Sequence, residues 1–211
     1  MLEVTIFDYE LYGGGIRKCP LVSITGDDYD KCDAASHIFW ANKKSGIYGK
    51  GLLNSTDDEC RVTRIGLLGQ MAFSTLLNIP VDLAYRERGD DYDNIIGTCK
   101  IDVKCASRDS NKCYVRYLTE TGMVIEPSHD IYIVSYLHEE DRSTRTASIM
   151  IVGYMLRKNM MEKCMRMHGV KSNGDRCRHK NYELVFTQTE PMDEIMNTPF
   201  DRFDEKFKHA T

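Results

Sequence analysis

A chain of 211 residues, 42% of them apolar and only five of them proline, is long enough to bury a core of good size, which excludes wholesale disorder. A formal net charge of −4 excludes a broadly basic nucleic-acid wrapper. No apolar run approaches the ~20 residues that span a bilayer, so no membrane partner is expected.

The N-terminus, residues 1–8, lacks the basic start and apolar body of a signal peptide, so an intracellular location is expected, in the cytoplasm or nucleus of a host cell. Residues 4–7 and 21–24 alternate like short strands around Gly13-Gly14-Gly15, a flexible turn with no following Lys-Ser/Thr and hence no phosphate loop. Asp27 or Asp28 can cap a helix running to about Lys44, with Ala34, Ile38 and Ala41 as its apolar stripe and His37 and Trp40 beside it. Residues 46–59 read as an exposed loop, through which Lys43, Lys44 and Lys50 can approach nucleic acid. A second helix, from about Glu59 to Asn78, repeats Ile65, Leu68, Ala72, Thr75 and Leu76 on one face. Gly66 and Gly69 within it suit close packing against a sheet. Pro80 ends it, and residues 81–85 are expected to open the sheet.

The most informative stretch is 93–104. Asp93 precedes a short apolar strand, Gly97 to Lys100 make a tight link, and Ile101, Val103 and Cys105 alternate with Asp102 and Lys104. A strand of a sheet core does not carry a carboxylate and an ammonium on one face without a task, although a plain ion pair or a solvated face reads the same way. The hairpin can bring Asp93 beside Asp102, with Asp91 the alternative ligand in the preceding acidic turn. Two carboxylates held that close repel unless a proton or cation intervenes, and oxygen donors select a hard ion such as Mg²⁺ or Mn²⁺.

Asp93, Asp102-Val103-Lys104 and the preceding Gly66-Leu67-Leu68-Gly69-Gln70-Met71-Ala72-Phe73 resemble the PD-(D/E)xK nuclease superfamily, in particular its small phage and restriction-type members. The resemblance implies an α/β fold with a restriction-endonuclease-like core, a mixed central sheet flanked by helices. It implies metal-dependent hydrolysis of phosphodiester bonds, with Asp93 and Asp102 on Mg²⁺ or Mn²⁺ and Lys104 beside the attacking water. Gln70 stands where the family has a helix glutamate. A variant that still cuts, a degenerate site that only binds, and an altered residue that stops cleavage are the three explanations. The second gives the rival reading, a catalytically degenerate nucleic-acid-binding or assembly protein. A phosphoryl- or nucleotidyl-processing enzyme for small substrates is a third.

Further along, residues 113–118 and 123–125 read as a hairpin, 130–137 as a central strand covered on both faces, and 147–154 as a long apolar strand. Residues 155–168 read as a methionine-rich helix, 178–187 as a returning strand and 192–196 as a short helix. Arg157, Lys158, Lys163, Arg166, Lys171, Arg176, Arg178 and Lys180 concentrate positive charge that can grip phosphates, although a solvated helix and loop read alike. The expected organisation is a single domain: an N-terminal extension to residue 60, a core over 61–154, and a basic helix and tail over 155–211. The expected partner is nucleic acid, DNA before RNA, and paired cuts on a duplex would favour a homodimer. The eight cysteines form no C-x-x-C pair, which argues for reduced thiols rather than a zinc ribbon.

Overall fold

The computed structural model describes residues 3–11, 14–45, 60–84, 93–107, 111–116, 123–170 and 176–208, with backbone alone at 43–45, 165–170 and 176–180. Strands β1 (Val4–Glu10) and β2 (Ile16–Thr25) contain the two strand-like pieces of the sequence and pair antiparallel. Gly26, at φ +55°, turns the chain into helix α1 (Asp27–Ser45), whose first turn carries Asp27, Asp28 and Asp30 against the positive helix end. The stripe expected at Ala34, Ile38 and Ala41 is not the buried face, for Ile38 is 56% exposed. Helix α1 packs through Tyr29, Cys32, Ala35 and Phe39 instead. Small side chains let it approach helix α2 (Arg61–Leu77), and Cys32 Sγ donates to the Leu67 carbonyl at 3.6 Å.

Helix α2 is buried around most of its girth, with Ile65, Leu68, Ala72 and Phe73 in the core. Asn78, in the left-handed region at φ 52°, caps its end. Residues 81–84 form no strand, contrary to expectation, and Tyr85 lies outside the described residues. Val81 and Leu83 pack on the core while Asp82 and Ala84 face out, so their alternation records one-sided burial rather than ladder pairing.

A hairpin of β3 (Asn94–Ile96) and β4 (Cys99–Ala106) then enters the main sheet. With β5 (Lys112–Arg116), β6 (Ile131–Asp141) and β7 (Thr146–Leu156), the topology becomes clear. The main sheet has the order β1-β2-β7-β6-β4-β3, antiparallel throughout except for the parallel pair β4 and β6. It is mixed, as expected. Strand β6 is buried on both faces over residues 131–137, which its continuous apolar run predicts.

The segment after β7 departs from the sequence reading. Helix α3 spans just Arg157–Lys163; Met155 belongs to β7, and Met165–Val170 is strand β8. Strand β9 (Arg176–Val185) pairs with β8 on one side and with β5 on the other. The expected hairpin partner of β5 at 123–125 is therefore replaced by a strand about 70 residues away, a pairing that no local pattern encodes. Helices α4 (Asp193–Asn197) and α5 (Phe203–Phe207) complete the described chain.

Two cores result. Helices α1, α2, α4 and α5 cover one face of the main sheet, with Phe73, Ile195, Phe203 and Phe207 over Ile101, Ile133 and Ile149. The three-stranded sheet covers the other, with Val115, Tyr182 and Leu184 against Tyr132, Val134 and Met150. The fold is thus mixed α/β, with a central sheet flanked by helices. Met155, Met160, Cys164, Tyr182, Leu184 and Phe186 join the second core, and Met192, Ile195, Phe203 and Phe207 the first. Among the described residues no helix is long and apolar enough to cross a membrane.

Candidate active site

The β3–β4 hairpin is held at three points. Its turn uses Gly97 at φ +63°, a backbone state that side-chain-bearing residues avoid. Asp204 of α5 accepts hydrogen bonds from the Thr98 amide at 2.8 Å and the Thr98 hydroxyl at 3.0 Å, and Lys208 Nζ donates to Thr98 Oγ1 at 2.6 Å. On the opposite strand edge, Asp130 accepts from the Lys100 amide at 2.9 Å. Helix α2 lies close along β4, because a Cβ on Gly69 would stand 2.6 Å from Cys105 Cβ.

That frame decides where the acidic groups meet. Asn94 pairs with Ile101, so the register places Asp93 opposite Asp102, one step beyond the end of β3. Asp93 Oδ2 accepts the Val103 amide at 2.7 Å, standing in for the carbonyl that a longer β3 would supply. The Asp93 carboxyl consequently occupies the sheet edge. There Gln70 Nε2 on α2 donates to its Oδ1 at 2.6 Å, and Asp102 lies within hydrogen-bonding reach on the other side.

Asp102 is 6% exposed, and Lys104 Nζ donates to it, 2.8 Å from each carboxylate oxygen. The two share a face of β4, as alternation predicts, while Ile101 and Val103 pack under α2. The ion pair foreseen as the plain alternative is therefore present, but it does not stand alone. Burial, and then the Asp102 charge, push the Asp93 carboxyl up to about 7, although the Val103 amide and Lys104 pull it down. For Lys104, burial favours the neutral amine, but Asp102 and Asp93 outweigh it and hold the group above its ordinary value. Lys104 is consequently a cation at neutral pH and can donate or neutralise charge. It is unsuited to taking a proton.

Among the described residues no group of three or more His, Cys, Asp and Glu side chains is gathered to hold a metal ion. The oxygens gathered here come from the Asp93 and Asp102 carboxylates. Such a set suits Mg²⁺, which keeps several waters and is commonly bound by one or two carboxylates together with substrate phosphate. Gln70 presents its amide nitrogen to Asp93, so offering its oxygen to a cation requires the amide to turn over.

Tyr132 was not foreseen as part of the site. It is the parallel-strand partner of Asp102 and fully buried. Burial and the neighbouring Asp102 charge raise its hydroxyl above the ordinary phenol value, keeping it neutral. Its signal lay in the β4–β6 register, which a local pattern does not contain. Arg157, at the start of α3, donates to the Pro127 carbonyl at 3.5 Å and acts electrostatically on Tyr132, so it lies on the Asp102 side. Lys158 and Lys163 are exposed on α3. Arg166 falls on β8, and Arg176, Arg178 and Lys180 on β9; their side chains are not described, nor are those of Lys43 and Lys44 on α1. Lys50, Lys171 and Asp91 lie outside the described residues.

No protein-family model, curated protein or solved structure matches this chain.

Proposed function

We propose that the chain is a Mg²⁺- or Mn²⁺-dependent nuclease with a restriction-endonuclease-like core, acting on DNA in preference to RNA. The observation that carries this reading is the meeting of Asp93 and Asp102, from adjoining strands, beside the Lys104 ammonium and the Gln70 amide. Asp93 and Asp102 would hold the ion, which supplies Lewis-acid stabilisation of the phosphoryl oxygens and a more acidic water. Lys104 orients the attacking water and offsets negative charge as it develops on phosphorus. The Arg157 side of the molecule, with Lys158 and Lys163, supplies contacts to flanking phosphates that carry no sequence information.

Gln70 favours a second reading, a nucleic-acid-binding protein that has lost catalysis. Its uncharged amide occupies an oxygen of Asp93 that an ion would need. Incubating plasmid, linear duplex, single-stranded DNA and RNA with the protein in Mg²⁺ or Mn²⁺ separates the two. Cleavage that disappears in Asp102→Asn supports the nuclease. Retention of nucleic acid without cleavage supports the binding protein, and cleavage undiminished in Asp102→Asn removes both assignments of the site.

A further inference from the structure

A second cluster of reactive groups lies at the other end of α2, independent of the carboxylate site. Cys60 stands at the N-cap of this 17-residue helix and makes no side-chain cap hydrogen bond. Its Sγ is 3.3 Å from Nδ1 of His37 on α1. The same imidazole presents Nε2 to Asp33 Oδ2 at 3.7 Å, an ion-pair distance. Asp33 is itself fixed, because Arg64 approaches its other oxygen at 3.4 Å and Arg142 at 4.0 Å. A carboxylate on the Nε2 side favours the tautomer that leaves Nδ1 free to accept, so the ring faces the thiol as a base. Nucleophile, base and orienting carboxylate thus stand in series on two packed helices. The positive end of α2 favours the thiolate that results.

The burial of the sulfur limits its reactant. Cys60 is 5% exposed, whereas His37 is 59% exposed, so the thiol is covered and its base borders solvent. A tripeptide disulfide is too bulky for such a position, while hydrogen peroxide is about the size of two waters. We propose that Cys60, with His37 as its acid and base and Asp33 as the positioning residue, is a site of oxidation by hydroperoxides. The Sγ proton passes to His37 Nδ1, and the thiolate attacks one peroxide oxygen. The O–O bond breaks, and the leaving hydroxide takes the proton back from His37 as water. Sulfur is oxidised to a sulfenic acid and the peroxide is reduced, so atoms and electrons balance.

Other cysteines provide internal controls. Burial raises the thiols of Cys19 and Cys164 to about 11 and those of Cys32, Cys99 and Cys105 to about 12. The test treats the full chain with hydrogen peroxide, removes the excess, unfolds the chain in the presence of dimedone so that the probe reaches covered sulfur, and maps the trapped sulfenic acid by mass spectrometry. Cys60 is expected to label at least about tenfold faster than Cys19 or Cys164, since an ordinary thiol is only a few per cent thiolate at neutral pH. His37→Ala, at an exposed position, should slow Cys60 by about tenfold without slowing the other cysteines, and added imidazole should restore part of the rate. Asp33→Asn should slow Cys60 to a lesser degree. Equal labelling of Cys60 and Cys19, absence of label at Cys60, or a rate indifferent to His37→Ala overturns the proposal; should His37→Ala fail to fold, His37→Gln takes its place with the same expectations.

Discussion

The Gln70 side-chain amide donates to Asp93 Oδ1 at 2.6 Å, which ties helix α2 to the hairpin that carries half-buried Asp93 and buried Asp102. The bond satisfies Asp93 without adding charge, at a place where a third carboxylate would face two others.

Exchanging that amide for a carboxylate should therefore act in opposite directions with and without metal. Gln70→Glu is expected to lower the melting temperature of the metal-free protein at pH 8, by about 1–2 kcal/mol of stability, because like charges crowd together. It should also tighten Mn²⁺ binding by about tenfold, as seen by calorimetry. Cleavage gained only in this variant would select the binding-protein reading over the native nuclease.

Protonation of Asp93 gives the site its pH dependence. Its folded pKa, about 7, lies above that of an unfolded aspartate, so between roughly pH 4 and pH 7 the folded state binds more protons than the unfolded state. The favourable contribution is complete below the unfolded value and is lost as pH rises through 7. Metal-free protein should accordingly lose stability from pH 5 to pH 8, and Asp93→Asn should flatten that slope. Metal binding needs the ionised form, so Mn²⁺ should raise the melting temperature more at pH 8 than at pH 6. A Mn²⁺ effect equal at both values would remove Asp93 from the ligand set.

Lys104 neutralises a carboxylate that is 6% exposed. Lys104→Met would leave Asp102 buried without its cation, costing about 1–3 kcal/mol at pH 8 in urea denaturation. Cleavage should fall by about 100-fold or more while Mn²⁺ still binds. Loss of metal binding together with activity would assign Lys104 a purely structural part.

The turn of the hairpin offers a test away from the carboxylates. At Gly97 a Cβ would meet Asp204 Oδ1 at 2.6 Å, and φ is +63°. Gly97→Ala should cost about 1–2 kcal/mol through backbone strain and contact together. Asp204→Ala should leave the fold intact but speed hydrogen exchange at the Thr98 amide, which loses its carboxylate acceptor. The Thr98 amide, and then the Thr98 hydroxyl, hold the Asp204 carboxyl below its ordinary value. This stabilisation is therefore present above the unfolded value and disappears as pH falls through the folded one.

What the sequence made legible was local. The spacing of Asp93, Asp102 and Lys104 implied a hairpin with acid and base on one face, and nine residues of separation suffice to fix that register. Gly69 announced the close approach of α2, which in turn brought Gln70 to the hairpin. Long-range pairing stayed hidden. Met165–Val170 resembles the continuation of a helix until β9 is available to pair with it, and β5 finds β9 rather than its neighbour in sequence. The same holds for Cys60 and His37, 23 residues apart on separate helices, whose contact depends on how α1 and α2 pack.

Titration of the metal-free protein with Mn²⁺ by isothermal calorimetry at pH 8, alongside Asp93→Asn and Asp102→Asn of verified fold, tests the central claim most directly. Saturable binding by the unaltered chain that each substitution weakens at least about tenfold is the predicted result. Binding of equal strength in all three proteins, or none in the unaltered chain, would contradict it.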